Sequence, residues 1–165
     1  MELETKRLKL IQLTPKQLHL WLESIPHLTE EIECIYPGDM LEGNLKAAVS
    51  LQLERGKKDP ENAQWHTFWF ILRKVDKMVL GAADFKNVPN EAGEVEIGYG
   101  IGKAFEGQGY MTEAVPALCQ WAKSQPGVQS VLAETELANI ERENVFQECG
   151  FKAESKNTKT IKWRF

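Results

Sequence analysis

The stretch KAFEGQGYMTEA, residues 103–114, constrains the fold more than any other part of the chain. It places Gly107 and Gly109 directly before a helical pattern and shortly after a strand pattern. Glycines spaced in this way let backbone N–H groups approach a ligand closely, and the first turn of a helix offers unpaired N–H donors. The stretch therefore predicts a strand-to-helix junction that is either an anion site, most often for phosphate, or a tight turn without a ligand.

The predicted strand before this junction, EVEIGYGIG at 94–102, has two unequal faces. One face carries Val95, Ile97, Tyr99 and Ile101, and the other carries Glu94, Glu96, Gly98, Gly100 and Gly102. Glycine inside a strand weakens it and often marks a bulge or the close approach of a ligand. The second face is therefore a candidate ligand surface.

Two familiar phosphate-binding loops do not match these glycines. A P-loop requires Gly-Lys-Ser/Thr after four intervening residues, and the sequence has no such run. A dinucleotide fingerprint requires Gly-x-Gly-x-x-Gly, but counting from Gly98, Gly100 or Gly107 places Lys103, Phe105 or Thr112 at the third glycine.

The rest of the chain reads as a mixed α/β pattern. A strand at 5–13 precedes a helix that Thr14 and Pro15 open, a second helix covers 41–56, and residues 26–40 fit no clear pattern. Two strands around Asp76-Lys77 predict an antiparallel hairpin, and the first of them should be buried on both faces. After the junction we predict a helix with an internal Pro116, which should kink the helix or delay its start. A strand at 128–136, a helix at 138–149 and a final strand at 160–165 should follow. The strands before and after the crossover helix should be parallel.

Composition limits the classes of function. Lys and Arg number 20 against 24 Asp and Glu, a net charge of −4, so no basic field would hold nucleic acid and we predict no such partner. No apolar run approaches the roughly 20 residues that cross a bilayer, and the opening MELETKRLKL lacks the apolar central region of a signal peptide. We expect a cytoplasmic protein without a membrane partner, folded as one domain over 1–165.

The cysteines and histidines show no metal-binding pattern. No Cys-x-x-Cys pair occurs, and the residues concerned are separated in sequence: Cys34, Cys119 and Cys149, and His19, His27 and His66. We interpret the cysteines as reduced thiols and predict no metal site.

At five places the chain resembles the GNAT superfamily of N-acetyltransferases, and most closely its branch of ribosomal-protein N-terminal acetyltransferases. The family's Arg/Gln-x-x-Gly-x-Gly/Ala segment corresponds to EGQGYM at 106–111. The other matches, in the order of that branch, are TKRLKL at 5–10, EIGYGI at 96–101, AETE followed by Asn139, and ECGF at 148–151.

The resemblance implies a single GNAT-like α/β (α+β) domain with a mostly antiparallel sheet, splayed between its fourth and fifth strands, and helices on both faces. It implies that acetyl-CoA lies in the splay as co-substrate, with its pyrophosphate on the N–H groups of 107–111. Main-chain groups of Tyr99, Gly100 and Ile101 would bond the pantetheine arm. The implied cofactor-binding set is completed by Glu106, Gly107, Gln108, Gly109, Tyr110, Met111, Asn139 and Asn144; Asn139 is equally an N-cap.

Two positions of the loop depart from the family pattern, and the catalytic residues are less defined. Glu106 replaces Arg or Gln, and Met111 replaces Gly or Ala; a carboxylate repels pyrophosphate unless it turns outward or pairs with a cation such as Lys103. Glu96 and Glu94 are the candidate general bases, or else solvated carboxylates. The family's Ser and Tyr acids correspond to Arg142 and Phe146, which leaves water, Tyr99 or no acid.

These observations favour an acetyl-CoA-dependent N-acetyltransferase that acts on a primary amine, either a protein N-terminus or a small-molecule amine, as a monomer or homodimer. One alternative is a noncatalytic acyl-CoA-binding protein that has lost the general acid, and another is an interaction domain without CoA. Acidic segments near the predicted acceptor side, TEEIEC and NEAGE, are compatible with a cationic amine or with plain solvated surface.

Overall fold

Eight strands form one mixed sheet in the computed structural model, which describes residues 1–165. The strands are β1 (Glu2–Glu4), β2 (Leu8–Gln12), β3 (Phe68–Arg73), β4 (Met78–Phe85), β5 (Glu94–Ile101), β6 (Ser130–Glu136), β7 (Lys152–Lys156) and β8 (Thr160–Arg164). Their order in the sheet is β1-β2-β3-β4-β5-β6-β8-β7. Only β5 and β6 are parallel, as predicted for the strands that flank the crossover helix.

Five helices cover the two faces of the sheet: α1 (Pro15–Glu23), α2 (Ile25–Ile32), α3 (Gly43–Lys58), α4 (Tyr110–Ser124) and α5 (Ile140–Glu148). Single 3₁₀ turns lie at Pro60–Asn62 and Lys103–Phe105. One apolar core lies beneath α4 and α5, and a smaller one lies beneath α1, α2 and α3. The predicted fold class, a mostly antiparallel sheet with helices on both faces, is confirmed. None of the helices is long and apolar enough to cross a membrane.

The β3–β4 hairpin has the predicted antiparallel pairing, and its first strand is buried on both faces. Trp69 and Ile71 point into the core under α4, whereas Phe68, Phe70 and Leu72 point into the core under α1–α3. Alternation between two buried faces accounts for the run of bulky residues that the sequence shows here.

Helix α4 begins at Tyr110, so of the two effects expected of Pro116, a kink or a later start, the later start is wrong. Proline removes the hydrogen bond to the carbonyl four residues earlier, which here is Thr112 O. The thiol of Cys149, at the end of α5, donates to that carbonyl at 3.8 Å. A tertiary contact therefore meets the acceptor that Pro116 leaves free within the helix.

Three elements were not predicted. Strands β1 and β7 contain almost no apolar residues and exist because they pair with β2 and β8. Helix α2 falls in the segment that fitted no pattern, although Pro26 lies in its first turn, where proline is tolerated. The unpredicted β1 shifts the count, so the fourth and fifth predicted strands are β5 and β6.

Candidate active site

Strands β5 and β6 separate after a short parallel contact. Glu94–Glu96 pair with Ser130–Leu132, but from Ile97 to Ile101 strand β5 pairs only with β4, while β6 continues against β8. One backbone edge of β5 is therefore left without a strand partner. This is the predicted splay, and two cavities meet beside it.

The first of these, which we call the loop cavity, has a volume of about 390 Å³ and lies between β5, the 103–109 turn and α5. The structure brings ten of the eleven predicted cofactor-binding residues to its lining: Tyr99, Gly100, Ile101, Glu106, Gly107, Gly109, Tyr110, Met111, Asn139 and Asn144. Gln108 is the exception, since its amide donates to Ala104 O away from the cavity.

Backbone donors are concentrated at this cavity. The N–H groups of residues 107–112 find no hydrogen-bond acceptor within the protein, because the first intrahelical bond is that of Glu113 N to Gly109 O. Gly107 has φ +71°, and Gly109, the N-cap of α4, has φ +79°, angles that glycine adopts at little cost. Unpaired donors at the N-terminus of a fifteen-residue helix form a site that fits a phosphate group.

The charged side chains around the loop cavity do not favour an anion. Its lining contains three carboxylates and a single cation: Glu106, Glu141, Glu148 and Arg142. Glu106 is exposed and forms no ion pair, so of the two alternatives it turns outward and does not pair with Lys103. Arg7 lies beside the loop, where it donates to Gln108 O at 3.0 Å and pairs with Glu113 at 2.7 Å. Any affinity for phosphate must come mainly from the backbone.

The second cavity, which we call the aromatic cavity, has a volume of about 900 Å³ and lies between β4–β5 and helices α1 and α3. The glycine face of β5 forms part of its floor through Gly98 and Gly100. Its aromatic lining residues are Trp21, Tyr36, Phe68, Phe70, Tyr99 and Phe105. Trp21 packs edge-on against Phe70 at 4.6 Å between ring centroids, so the rings of this wall support one another.

Asp84 on β4 is the only carboxylate in the lining of the aromatic cavity. Gln52 Nε2 donates to its Oδ2 at 3.0 Å, whereas Oδ1 accepts no hydrogen bond from the protein. No Lys or Arg forms an ion pair with it, since the nearby Lys86 pairs with Glu96. Burial raises the pKa of Asp84, against the opposing effects of the Gln52 hydrogen bond and of the charges on Lys86 and Arg55.

Asp84→Asn should therefore stabilise the protein at neutral pH. A raised pKa means that the folded state holds the proton more tightly than the unfolded chain, so ionisation of Asp84 weakens folding as pH rises. We expect the melting temperature of the variant to exceed that of the wild type at pH 7.5, with a difference that shrinks as the pH is lowered. The difference should vanish below about pH 4, where the carboxyl is protonated in both states. A lower melting temperature at pH 7.5 would contradict this assignment of the charge.

Tyr99 and Arg142 lie where the two cavities meet, and both residues line each of them. Arg142 donates from Nη2 to Tyr99 O at 2.8 Å and stacks over the Tyr99 ring at 4.6 Å. The hydroxyl of Tyr99 makes no hydrogen bond within the protein. Burial raises the pKa of Tyr99 to about 12, so this hydroxyl keeps its proton at neutral pH.

The two candidate bases are placed differently from Asp84. Glu96 pairs with Lys86 at 3.1 Å, Glu94 pairs with Arg164 at 2.8 Å, and neither carboxylate lines the loop cavity or the aromatic cavity. Asn139 caps α5 by accepting from the N–H of Arg142 at 3.2 Å, while also lining the loop cavity. Sequence reasoning missed Asp84 and Arg7; the available signal for Asp84 was one acid within the otherwise apolar strand MVLGAADF.

Comparison with known proteins agrees with this geometry. A family model described as "Acetyltransferase (GNAT) domain" matches residues 7–152. The chain is 30% identical over 95 residues to "Uncharacterized N-acetyltransferase YjdG" of Bacillus subtilis (strain 168), covering 58% of this chain and 56% of the relative. It is 28% identical over 91 residues to "Uncharacterized N-acetyltransferase p20" of Bacillus licheniformis, covering 55% of this chain and 51% of the relative. The matched part is thus about half the length of these curated relatives.

Solved structures share the whole fold at low sequence identity. The ribosomal-protein-S5-alanine acetyltransferase from Vibrio fischeri has a TM-score of 0.70 at 13% identity, covering 100% of this chain and 96% of that one. The microcin C7 self-immunity acetyltransferase MccE, in complex with acetyl-CoA and AMP, has a TM-score of 0.65 at 16% identity. The match covers 98% of this chain and 93% of MccE. RimL, the ribosomal L7/L12 alpha-N-protein acetyltransferase, in complex with coenzyme A, has a TM-score of 0.66 at 14% identity. The match covers 100% of this chain and 97% of RimL. These likenesses establish the fold.

Proposed function

Because the chain belongs to the GNAT acetyltransferase family, we propose that it is an acetyl-CoA-dependent N-acetyltransferase that acts on a primary amine. The observation that carries the proposal is the set of unpaired N–H donors at 107–112, which opens into the splay beside the free edge of β5. An anion site and an unpartnered strand edge, side by side, match a ligand with a phosphate end and an amide-containing arm. Two neighbours of the same fold are described as complexes with acetyl-CoA or coenzyme A.

The residues that would hold acetyl-CoA follow from this arrangement. The N–H groups from Gly107 to Thr112 would bind the pyrophosphate, and the main chain of Tyr99 to Ile101 would bond the pantetheine arm. Arg142 would have to release Tyr99 O, or share it, for that carbonyl to accept from the arm. When bound, acetyl-CoA supplies a thioester whose carbonyl carbon reacts with an amine.

Tyr99 is our candidate general acid. Its free hydroxyl lies where the cavities meet and stays protonated because burial raises its pKa to about 12. It could donate a proton to the leaving sulfur. Glu96 stays a candidate base; it pairs with Lys86, which lines the aromatic cavity, but Glu96 itself lines neither cavity, so it would act through water or after that pair opens.

A noncatalytic acyl-CoA-binding protein is the second candidate function. It is favoured by Arg142 and Phe146, which occupy the positions where the family resemblance places a Ser or Tyr hydroxyl as general acid. Phe146 is fully buried among Tyr99, Phe151 and Trp163 and lines neither cavity. Thiol release in the presence of amines separates the two functions, because both bind acetyl-CoA but only the enzyme consumes it.

A thermal shift measurement tests binding for both candidates. Acetyl-CoA at a hundred times its dissociation constant should stabilise the protein by about 2.7 kcal/mol. Absence of any shift with either CoA or acetyl-CoA would rule out both functions and leave the interaction domain.

Glu106→Arg should tighten the binding of CoA by about threefold to tenfold. The substitution removes a carboxylate from the loop cavity and adds a donor for phosphate; exposed charge pairs contribute about 0.2–1 kcal/mol, and loss of the repulsion adds to this. Calorimetric titration at constant ionic strength gives the dissociation constant. Glu61→Arg is the control, since it makes the same charge change at an exposed residue outside both cavities. Weaker binding by Glu106→Arg would mean that Glu106 contacts the ligand favourably.

A further inference from the structure

We propose that Asp84 binds and deprotonates the acceptor, and that the acceptor is a monoamine whose single ammonium group is carried on an apolar body. The inference rests on the proposed acetyltransferase function and specifies its substrate class. It also assigns the proton acceptor to a residue that the family resemblance did not indicate.

The first argument is the state of the Asp84 carboxylate. Oδ2 is fixed by Gln52, which is itself buried, so the carboxylate has one orientation. Oδ1 lies 3.2 Å from the point that a Cβ on Gly98 would occupy, and Lys86 Cε lies 3.1 Å from the same point, so the absence of a side chain at Gly98 lets Asp84 and Lys86 approach each other over it. A half-buried carboxylate that lines the cavity, with one free oxygen and no ion pair, suits an incoming cation that displaces the Lys86 side chain.

The second argument is the surface on both sides of Asp84. Phe68 pairs directly with Asp84 in the sheet, and Gly98 pairs with it on the other side, so the three residues share one face. Trp21, Tyr36 and Phe70 continue the wall away from Phe68. An ammonium at Asp84 would therefore place the rest of the molecule against aromatic rings, where apolar area is removed from water.

The third argument is the charge of the remaining lining, which excludes other amines. Apart from Lys86, which lies beside Asp84 and pairs with Glu96, the other charged lining residues are Lys103 and Arg142, so a second ammonium group on a polyamine would meet like charges. A peptide N-terminus would bring main-chain N–H and C=O groups against the aromatic wall, where Trp21 Nε1 already donates to the Tyr36 hydroxyl at 3.0 Å. The cavity favours one positive charge and an apolar remainder.

The proton balance of the step is complete without another reactant. Asp84 takes one proton from the ammonium and later gives it to water. The neutral nitrogen then forms the C–N bond as the C–S bond of the thioester breaks. Tyr99 gives its hydroxyl proton to the sulfur and regains one from the nitrogen, so the products are the amide, the free thiol and one proton in solution.

The test uses 2-phenylethylamine as the probe, with spermidine and a peptide bearing a free N-terminus as contrasts. We expect the wild type to acetylate 2-phenylethylamine with a kcat/KM at least about 10-fold above that of either contrast, the size of one well-placed interaction. Asp84→Asn should lower this kcat/KM by about 10²-fold, within the range of general-base catalysis. Calorimetry without acetyl-CoA should show at least about a 10-fold rise in the dissociation constant of the amine.

Two variants make the result specific. Asp39→Asn removes the same charge from an exposed carboxylate outside the cavity and should leave amine binding and turnover unchanged. Glu96→Gln tests the rival base, and a larger loss of kcat/KM for this variant than for Asp84→Asn would overturn the assignment of Asp84.

The remaining outcomes separate this inference from the function on which it rests. If the wild type binds acetyl-CoA but prefers spermidine or the peptide, or if Asp84→Asn binds 2-phenylethylamine normally, the inference is wrong and the acetyltransferase proposal stands. If acetyl-CoA itself does not bind, the proposed function fails; amine binding to the wild type and its loss in Asp84→Asn would still identify the cavity as an amine site.

Discussion

Gly109→Val should abolish measurable CoA binding while the protein remains folded. Gly109 has φ +79° at the N-cap of α4, a conformation that a β-branched residue resists, so the loop must change its backbone angles and redirect its N–H groups. Two lost hydrogen bonds to a charged phosphate, at about 1.5–3 kcal/mol each, correspond to a rise in dissociation constant of about 10²-fold or more. Calorimetric titration with CoA measures this change.

Gly127→Val is the matched control for this variant. Gly127 has φ +80°, and an added Cβ would meet no atom within 4 Å, so the substitution imposes similar backbone strain in a turn outside both cavities. We expect the two variants to lose comparable stability in thermal denaturation, but only Gly109→Val to lose CoA binding. Normal affinity in a folded Gly109→Val protein would refute the assignment of the loop.

Tyr99→Phe should lower turnover by about 10²-fold, the lower end of the range for general acid–base catalysis. The substitution removes only the hydroxyl, and Phe keeps the ring that packs against Phe146 and lies under Arg142. Because the main chain of residue 99 is unchanged, the affinity for acetyl-CoA should stay within about twofold of the wild type, or about 0.4 kcal/mol. Initial rates from thiol detection and a binding titration give the two quantities separately.

The dependence of kcat on pH distinguishes proton donation from a structural role of Tyr99. If its hydroxyl protonates the sulfur, any decline of wild-type kcat at high pH that reflects loss of that proton should be absent in Tyr99→Phe. An equal loss of kcat at all pH values together with weaker acetyl-CoA binding would indicate damage to the site. Unchanged turnover would assign the proton to water.

The loop before α4 could be predicted from the sequence because its hydrogen-bond donors are backbone N–H groups. Gly107 and Gly109 encode the positive φ angles directly, and the helix that follows supplies the donors. The separation of β5 from β6 was implied by family resemblance, and the structure explains it by pairing each strand with a different neighbour beyond Glu96 and Leu132.

Asp84 could not be identified from the sequence, because the environment of its carboxylate is created by tertiary contacts. Its burial, its single partner Gln52 on α3 and its place in the lining of the aromatic cavity depend on how α1 and α3 cover β4 and β5. A local pattern gives only an acid within an apolar strand. Glu96 fits the pattern of a base equally well in sequence, but its side chain pairs with Lys86 on the protein surface.

The central claim is that the N–H groups of residues 107–112 bind the phosphate end of CoA beside the free edge of β5. Titration of CoA into ¹⁵N-labelled protein, followed by amide chemical shifts, tests it residue by residue. We predict the largest shifts for the amides of 107–112, accompanied by shifts for Tyr99 to Ile101 on the free edge. Saturable binding of CoA that leaves the amides of 107–112 unperturbed would contradict the account.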